Sequence, residues 1–221
     1  MKKFFASPVL LFSAFLPLLF SCSTDSYEKG EGDYSLMRAE MADITVDGNK
    51  LAVSAVTDEG ETLTFSTPFT TSWFVTADSV YRTILYYNKE ENGKAEAIGT
   101  SRVNVLQPHV ISDIKTDPVR FESAWISTNR RYINAGIYVM VGDLENELLT
   151  QVIGVNVDTL LQHDNGKSTL RLTLYHDQGG MPEYFSQRTY LSIPLDSLNV
   201  DTVSLGIHTY DSVVVKRFPL H

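Results

Sequence analysis

The sequence contains a single cysteine, Cys22, so no disulfide can form within one chain. Stable exported domains often rely on paired cysteines, and a lone thiol in such a protein calls for another explanation. Basic residues are also scarce, with 18 Lys and Arg against 27 Asp and Glu and a formal net charge of −9. Because nucleic-acid binding depends on neutralising phosphates with cationic side chains, this balance argues against nucleic acid as a partner.

Motifs that carry chemistry are missing as well. The sequence has no Gly-x-Ser-x-Gly turn, no His-Glu-x-x-His zinc helix and no glycine-rich phosphate loop. The pairs His163-Asp164 and His176-Asp177 lack the ligand spacing of a zinc or calcium site. The Asn, Gln and Gly residues that follow them are typical of turns. The sequence therefore predicts no catalytic residue, no metal, no cofactor and no enzyme activity.

The one long apolar run lies at the amino terminus. Two lysines precede an apolar segment over residues 4–20, and the sequence turns polar directly after Cys22. This is the layout of an export signal. Leu19 and Ser21 occupy the positions at which a lipoprotein signal needs an aliphatic and a small residue. We predict a signal peptide over residues 1–21, with diacylglycerol on the Cys22 thiol and a fatty acid such as palmitate on the freed amine.

Two other interpretations of this region stay open. One is a plain secretory signal with an incidental cysteine, and the other is an uncleaved transmembrane helix. A helix over residues 4–20 would be about 25 Å long against a hydrocarbon core of about 30 Å, and Pro8 and Pro17 interrupt it. Two or more acyl chains make a lasting anchor. Ser23 stands where aspartate would indicate inner-membrane retention, so we expect the outer membrane, facing either the periplasm or the cell surface.

A polar spacer over residues 22–33 precedes the first predicted domain, residues 34–110. Five segments there alternate apolar and polar residues, with hairpin turn signals between them. In the first segment the apolar positions change parity between Met41 and Ala42, which is typical of a bulge or bend. Five strands in meander order, the first one bent, predict a small barrel resembling an OB-fold.

The second predicted domain covers residues 111–221. Its alternation is cleaner, most of all over residues 133–141, and about seven strands with short turn signals predict an antiparallel β-sandwich. The same alternation places Trp125 on one face with Val119 and Phe121. The predicted fold class is therefore all-β, with an N-terminal five-stranded OB-like barrel followed by a C-terminal antiparallel β-sandwich.

Three stretches resemble a known family. They are the signal ending at residues 19–22, residues 78–88 with Asp-Ser-Val-Tyr-Arg and Leu-Tyr-Tyr-Asn, and residues 182–195 with Pro-Glu-Tyr-Phe and Tyr-Leu-Ser-Ile-Pro-Leu. In these the chain resembles the NigD-like lipoproteins of Bacteroidota. The resemblance implies an OB-like domain followed by a β-sandwich and brings no catalytic or binding residues. The family name comes from a bacteriocin-associated locus, which suggests an immunity role.

Aromatic residues are the best indication of a binding surface. Trp73 lies in a polar loop, and Tyr184 and Tyr190 lie on the parity opposite to the apolar strand positions. Exposed aromatics can stack on sugar rings or anchor a protein partner. The alternative is that Trp73 plugs the barrel end and the tyrosines cover the sandwich or the domain junction. Convergence of all three on one open face with carboxamides would favour a sugar.

These observations together lead us to expect a non-enzymatic, outer-membrane-anchored lipoprotein. Its partners would be membrane lipid, through the acylated cysteine, and a protein or another envelope component. An immunity-like role is one version of this hypothesis. A glycan-binding lipoprotein of a polysaccharide-uptake system is the alternative.

Substitution of Cys22→Ala tests the predicted anchor. We expect loss of fatty-acid labelling and release of protein from the membrane fraction, because no other thiol can accept the diacylglycerol. Metabolic lipid labelling and fractionation measure both effects, with Ser26→Ala in the predicted spacer as the control that keeps its label. Normal labelling of the Cys22→Ala protein would disprove acylation at this position.

Overall fold

The computed structural model describes residues 36–142 and 149–220, which belong to one compact unit that begins at Leu36. The predicted signal peptide, the predicted lipid-attachment residue Cys22 and the spacer over residues 22–33 lie outside the described residues. The described residues form thirteen β-strands and no α-helix, so the predicted all-β class is confirmed. None of their helical segments has the length and apolar character needed to cross a membrane.

The first five strands close into a barrel. They are β1 (Arg38–Val46), β2 (Ala52–Thr57), β3 (Thr62–Phe69), β4 (Ser79–Lys89) and β5 (Lys94–Arg102). The strand order is β1-β2-β3-β5-β4, with β3 and β5 parallel and the other pairs antiparallel. The predicted OB-like barrel is confirmed. A simple meander would close β5 onto β1, whereas here β4 pairs with β1 and β5 lies between β4 and β3.

Aromatic rings from the β3–β4 connection pack against the barrel core. Residues 70–78 contain no helix, as the polar sequence predicts. Trp73 and Phe74 meet edge-to-face with ring centroids 4.6 Å apart, and Tyr81 lies 5.6 Å from Trp73 and 5.0 Å from Phe74. Phe69 continues this cluster into the core. A run of aromatic rings therefore occupies the place where an OB barrel often has a helix.

The middle of β1 is buried on both faces. Ala42 and Ile44 belong to the barrel core, while Met41 and Asp43 on the opposite face are also buried. The ladder between β1 and β4 runs in register along the whole of β1, and the register shift in the β1–β2 ladder falls at the end of the strand. The parity change in the sequence therefore arises because β1 is buried on both faces. The predicted bulge or bend midway along the strand is wrong.

The remaining strands form two four-stranded sheets. They are β6 (Asn104–Val105), β7 (Arg120–Ile126), β8 (Tyr132–Val141), β9 (Val152–Gln162), β10 (Ser168–Asp177), β11 (Phe185–Pro194), β12 (Thr202–His208) and β13 (Val213–Pro219). One sheet has the order β6-β11-β8-β7 and the other β13-β12-β10-β9. A single apolar cluster fills the space between them. The predicted sandwich is confirmed, with two parallel pairs, β6–β11 and β10–β12, among its antiparallel ladders.

The chain between the barrel and β7 runs along the sandwich. The amide of Leu106 donates to the Ser192 carbonyl, and the amide of Val157 donates to the His109 carbonyl, both at 2.9 Å. Further along, the amide of His176 donates to the Lys115 carbonyl at 3.0 Å. This connection therefore pairs with strands of both sheets. The division into domains at residues 110 and 111 stays a prediction.

Arg82 lies at the centre of the contact between the barrel and the sandwich. It is on β4, is only 5% exposed, and its Nη1 lies 2.7 Å from Oδ1 of Asp58 and 3.4 Å from Oδ1 of Asp43. Across the contact, Nη2 donates to Oδ1 of Asn134 on β8 and Nε donates to Oγ of Ser192 on β11, both at 3.1 Å. One guanidinium group therefore joins two barrel carboxylates to two strands of the sandwich.

The partners of Arg82 also bond to one another. The hydroxyl of Ser192 donates to Oδ1 of Asn134 at 2.7 Å, and Nδ2 of Asn134 donates to Oδ2 of Asp58 at 2.7 Å. Asn134 is 0% exposed. Buried polar groups are costly unless they are hydrogen-bonded, and this closed set of bonds satisfies that requirement.

Asp43 forms the other side of the network. Its Oδ2 lies 2.7 Å from Nη1 of Arg131 and accepts a hydrogen bond from the Tyr132 hydroxyl at 3.2 Å. The ring of Tyr132 lies 4.0 Å from the Arg82 guanidinium carbon, an arrangement that favours a cation on the ring face. Two arginines and two aspartates therefore balance in charge within the contact.

Substitution of Arg82 and of Lys89, both on β4, tests how much the buried network contributes to stability. Replacing Arg82 with Ala leaves two aspartates near the contact without their shared cation, and we expect the free energy of unfolding to fall by about 3–5 kcal/mol. Lys89→Ala is the matched control. Lys89 pairs with Glu61 at the surface, and loss of such a pair costs about 0–1 kcal/mol. Urea denaturation measures both, and equal losses would contradict the assigned role of Arg82.

Candidate functional site

A cleft of about 670 Å³ opens between the outer face of the barrel and the β6-β11-β8-β7 sheet. Barrel strands β1, β4 and β5 form one wall, and β7 and β11 form the other, with β6 beside them. The lining residues are Ala39, Glu40, Met41, Ile84, Tyr86, Ser101, Arg102, Asn104, Trp125, Gln187, Arg188, Thr189 and Tyr190. The volume is within the ~300–1,000 Å³ usual for small-molecule sites.

Strand alternation places this cleft beside the Arg82 network. Residues two and four positions apart in a strand share a face. On β4 the face that carries Arg82 therefore also carries Ile84 and Tyr86. On β11 the face that carries Ser192 also carries Tyr190 and Arg188. The two faces touch where Arg82 meets Ser192, and the cleft lies farther along the same two strands.

Tyr190 is fixed in its wall by Gly136 and Arg188. It is paired directly with Gly136 on β8, and a Cβ at Gly136 would lie 3.3 Å from Cε1 of Tyr190 and 2.7 Å from Oε2 of Glu122. The guanidinium carbon of Arg188 lies 4.7 Å from the centre of the Tyr190 ring. Burial raises the pKa of the Tyr190 phenol. The missing side chain at residue 136 therefore lets the ring and the carboxylate lie close against the sheet.

The cleft charges on β11 and β1 are already engaged. Arg188 donates through Nε and Nη2 to the two carboxylate oxygens of Glu122, at 2.9 and 2.6 Å. Glu40 accepts a hydrogen bond from the Tyr87 hydroxyl at 2.9 Å. Burial and the Glu40 carboxylate raise the pKa of Tyr87 to about 12. These groups act as fixed parts of the wall because each is held by a partner within the protein.

Other polar groups in the cleft have no such partner among the described residues. The side chains of Arg102, Asn104 and Gln187 are exposed and make no hydrogen bond or ion pair there. Trp125 lies beside them with 36% of its surface exposed. Small-molecule sites combine apolar and aromatic side chains with a few polar groups that orient the ligand, and this cleft offers both.

The three aromatics singled out from the sequence occupy different places. Tyr190 lines the cleft, while Trp73 is partly buried against the barrel core in the ring cluster described above. Tyr184 is 70% exposed and lies beside Phe185, which is 58% exposed. The structure therefore does not bring these three together. The aromatics that Tyr190 joins in the cleft are Trp125 and Tyr86.

Sequence alternation gave the wrong face for Trp125. The β7–β8 ladder has a register shift between Phe121 and Ser123, and such a bulge reverses which positions face the core. Ala124 and Ile126 consequently pack against the sandwich core together with Phe121. Trp125 turns outward into the cleft. The apolar pair at positions 124 and 126 is the sequence signal that could have revealed the change.

The two histidines of the His-Asp pairs are engaged in contacts that support the fold. His163 begins the β9–β10 turn, in which the amide of Gly166 donates to its carbonyl at 2.9 Å, and its Nε2 lies 2.9 Å from Oγ1 of Thr169. His176 is buried, with Nδ1 3.0 Å from the Asp117 carbonyl oxygen. Across residues 36–142 and 149–220, no group of three or more His, Cys, Asp or Glu side chains could hold a metal ion.

Comparison with solved structures identifies proteins of the same fold. A NigD-like immunity protein from Bacteroides caccae aligns with a TM-score of 0.64 at 24% identity, over 81% of this chain and 91% of that one. A protein of unknown function from Bacteroides vulgatus aligns at 0.62 with 15% identity, over 83% and 90%. A candidate lipoprotein from Bacteroides fragilis aligns at 0.57 with 10% identity, over 82% and 96%.

These likenesses confirm, at the level of the fold, the NigD-like resemblance seen in the sequence. No protein-family model and no curated protein matches the sequence.

The two tryptophans provide a direct check of the cleft geometry. In the Trp73→Phe protein only Trp125 emits, and in the Trp125→Phe protein only Trp73 emits. We expect stronger acrylamide quenching and longer-wavelength emission from Trp125, because its ring borders an open cleft while Trp73 is packed among rings. Steady-state fluorescence measures both. Stronger quenching of Trp73 would contradict the placement of Trp125.

Proposed function

We propose that this chain is a NigD-like lipoprotein that is held at the outer membrane by acylated Cys22 and works as a binding protein without catalytic turnover. The fold shared with a NigD-like immunity protein and with a candidate lipoprotein supports this. The export signal and lone cysteine of the sequence support the anchor.

The cleft is the observation that carries a binding function. It combines an exposed tryptophan with amide, hydroxyl and guanidinium groups that have no partner in the described part of the chain. Its wall is preformed, because Tyr190 and Arg188 are held by contacts within the sheet. A rigid site loses less conformational freedom when a ligand binds.

Binding without turnover agrees with how the acidic groups near the cleft are used. Glu40 accepts from Tyr87 and Glu122 is held by both arms of Arg188. A general acid or base needs to reach the reacting group with a pKa suited to its task. Carboxylates occupied in this way are parts of the scaffold.

A protein partner is the first candidate for what is bound, and an immunity-like role is one version of it. Tyr184 and Phe185 form an exposed aromatic pair at the start of β11. The Tyr210 phenol, 46% exposed, interacts with Glu183 next to this pair. Aromatic residues of this kind are enriched among the anchors of protein interfaces.

A glycan is the second candidate, and the composition of the cleft favours it. Trp125 and Tyr190 line one wall with the carboxamide of Gln187, and Asn104 adds a second carboxamide. Aromatic faces stack on sugar rings, and carboxamides can both donate and accept hydrogen bonds with hydroxyl groups.

Site-specific photo-crosslinking in intact envelopes tests the proposal. A photoreactive phenylalanine derivative is placed at Gln187 in the cleft, at Tyr184 in the exposed aromatic pair, or at Lys167 in the β9–β10 turn as the control. We expect an adduct from the first or second position and none from Lys167. An adduct at Gln187 should be lost when Trp125→Ala is added, and one at Tyr184 when Phe185→Ala is added.

The two outcomes separate the candidates. A protease-sensitive adduct at Tyr184 supports a protein partner, and a protease-resistant adduct at Gln187 supports a glycan. Absence of adducts at both positions, or equal labelling at Lys167, would overturn binding through these surfaces.

A further inference from the structure

We infer that the cleft binds an oligosaccharide bearing a carboxylate, with a sugar ring on Trp125 and the carboxylate at Arg102. This inference rests on the proposed binding function and specifies the chemistry of its ligand. It depends on which charged and polar groups of the cleft are available, on how they are distributed between the walls, and on a second depression that continues the cleft.

Arg102 is the available cation. It ends β5, is exposed, and has no ion pair with any described residue, whereas Arg188 is occupied by Glu122. The chain has an excess of nine acidic charges, and of the two arginines that line the cleft only Arg102 lacks a carboxylate partner among the described residues. The planar guanidinium matches a carboxylate with two parallel hydrogen bonds. A negatively charged group on the ligand would complete this pair.

Trp125 supplies the stacking surface. It belongs to the edge strand β7 and projects from the sheet face that borders the cleft, and no other aromatic ring of the described chain packs against it within ring-contact distance. By contrast, Tyr190 is covered by Arg188 and packed on Gly136. The indole is therefore the aromatic face that a ligand can reach.

The remaining free groups suit hydroxyls. Gln187 on β11 and Asn104 on β6 are exposed carboxamides, and Ser101 and Thr189 add hydroxyl groups on the two sides. Each carboxamide has two donors and one acceptor oxygen, which matches the mixed donors and acceptors of a sugar ring. An acyl chain would displace water from these groups without offering hydrogen bonds in return, and that loss is costly.

The cleft continues into a second depression of about 370 Å³, and both are lined by Arg102 and Asn104. Val152 and Ile153 of β9 form its far side. Arg102 thus lies where the two spaces meet. A ligand that follows both spaces is an extended chain, with the charged unit in the middle.

A peptide is a poorer match to the same surface. Peptides are bound chiefly through an unpaired strand edge or through an apolar groove that takes alternate side chains. Here the lining side chains lie on strand faces, and apolar and aromatic groups alternate with amide, hydroxyl and guanidinium groups instead of forming a continuous apolar groove.

The test uses the full mature lipoprotein in detergent and a panel of immobilised oligosaccharides. The carboxylated members are oligogalacturonate, hyaluronan fragments and sialyllactose. Their neutral counterparts are the methyl esters, and dextran sulfate tests for binding of any polyanion. We expect retention of at least one carboxylated member. Its methyl ester should bind about tenfold more weakly, because a charge-assisted pair is lost.

Three substitutions locate the site. Arg102→Gln should weaken binding of the retained acid about tenfold without affecting the neutral counterpart, and Trp125→Ala should weaken both. Arg171→Gln is the matched control, because Arg171 is an exposed arginine of β10 on the other sheet and its loss changes the net charge equally. Unchanged thermal unfolding of each variant shows that the fold is retained.

The outcomes distinguish this inference from the proposed function. Retention of neutral members that depends on Trp125 but not on Arg102 would overturn carboxylate recognition by Arg102. It would leave glycan binding in place. Binding of dextran sulfate alone, weakened equally by Arg102→Gln and Arg171→Gln, would overturn a specific site. No retention of any saccharide, together with a protein adduct in the crosslinking experiment, would overturn the inference and leave a protein-binding function.

Discussion

The architecture depends on one buried guanidinium group. Arg82 projects from the barrel into the sandwich, where Asn134 and Ser192 accept from it, while Asp43 and Asp58 of the barrel supply the opposite charge. Such a network is weak evidence of net stability, because apolar replacements of similar volume often do as well. The network has a clearer effect on how the barrel and the sandwich are positioned against each other. The donors of a guanidinium have fixed directions, and sliding the two parts past each other would leave buried donors unpaired.

The position of the cleft follows from that contact and from the pleat of two strands. β4 and β11 each present one face to the other across the contact, so the residues beyond Arg82 and Ser192 on those faces must line whatever space remains. That space is the cleft, with Tyr86 on one side and Tyr190 on the other. A groove formed where two folded parts meet is a common place for ligands. Here its width is set by bonds that are themselves buried.

Much of the fold could be predicted from the sequence, because it is encoded in alternation that needs no tertiary information. The barrel, the sandwich and the helix-free loop around Trp73 all follow from local pattern. The junction could not be predicted in this way. From the sequence, Arg82 in its strand looks like a solvent-facing residue. Only contact with the β6-β11-β8-β7 sheet buries it. Alternation predicts the wrong face for Trp125 because one extra residue in a bulge reverses every later position.

The contrast between local pattern and tertiary contact also explains why the sequence predicts only part of the candidate site. Strand parity alone points to Tyr190, and the structure places it in the cleft as a covered wall residue. Trp125 and Arg102 have no ring or ion-pair partner within the described part of the chain, and this property is visible only in three dimensions. A membrane anchor of the proposed kind would raise the effective concentration of such a site near envelope ligands. Under that condition a cleft in which Arg102 and Trp125 have no ion-pair or ring partner among the described residues needs only modest intrinsic affinity to hold its ligand.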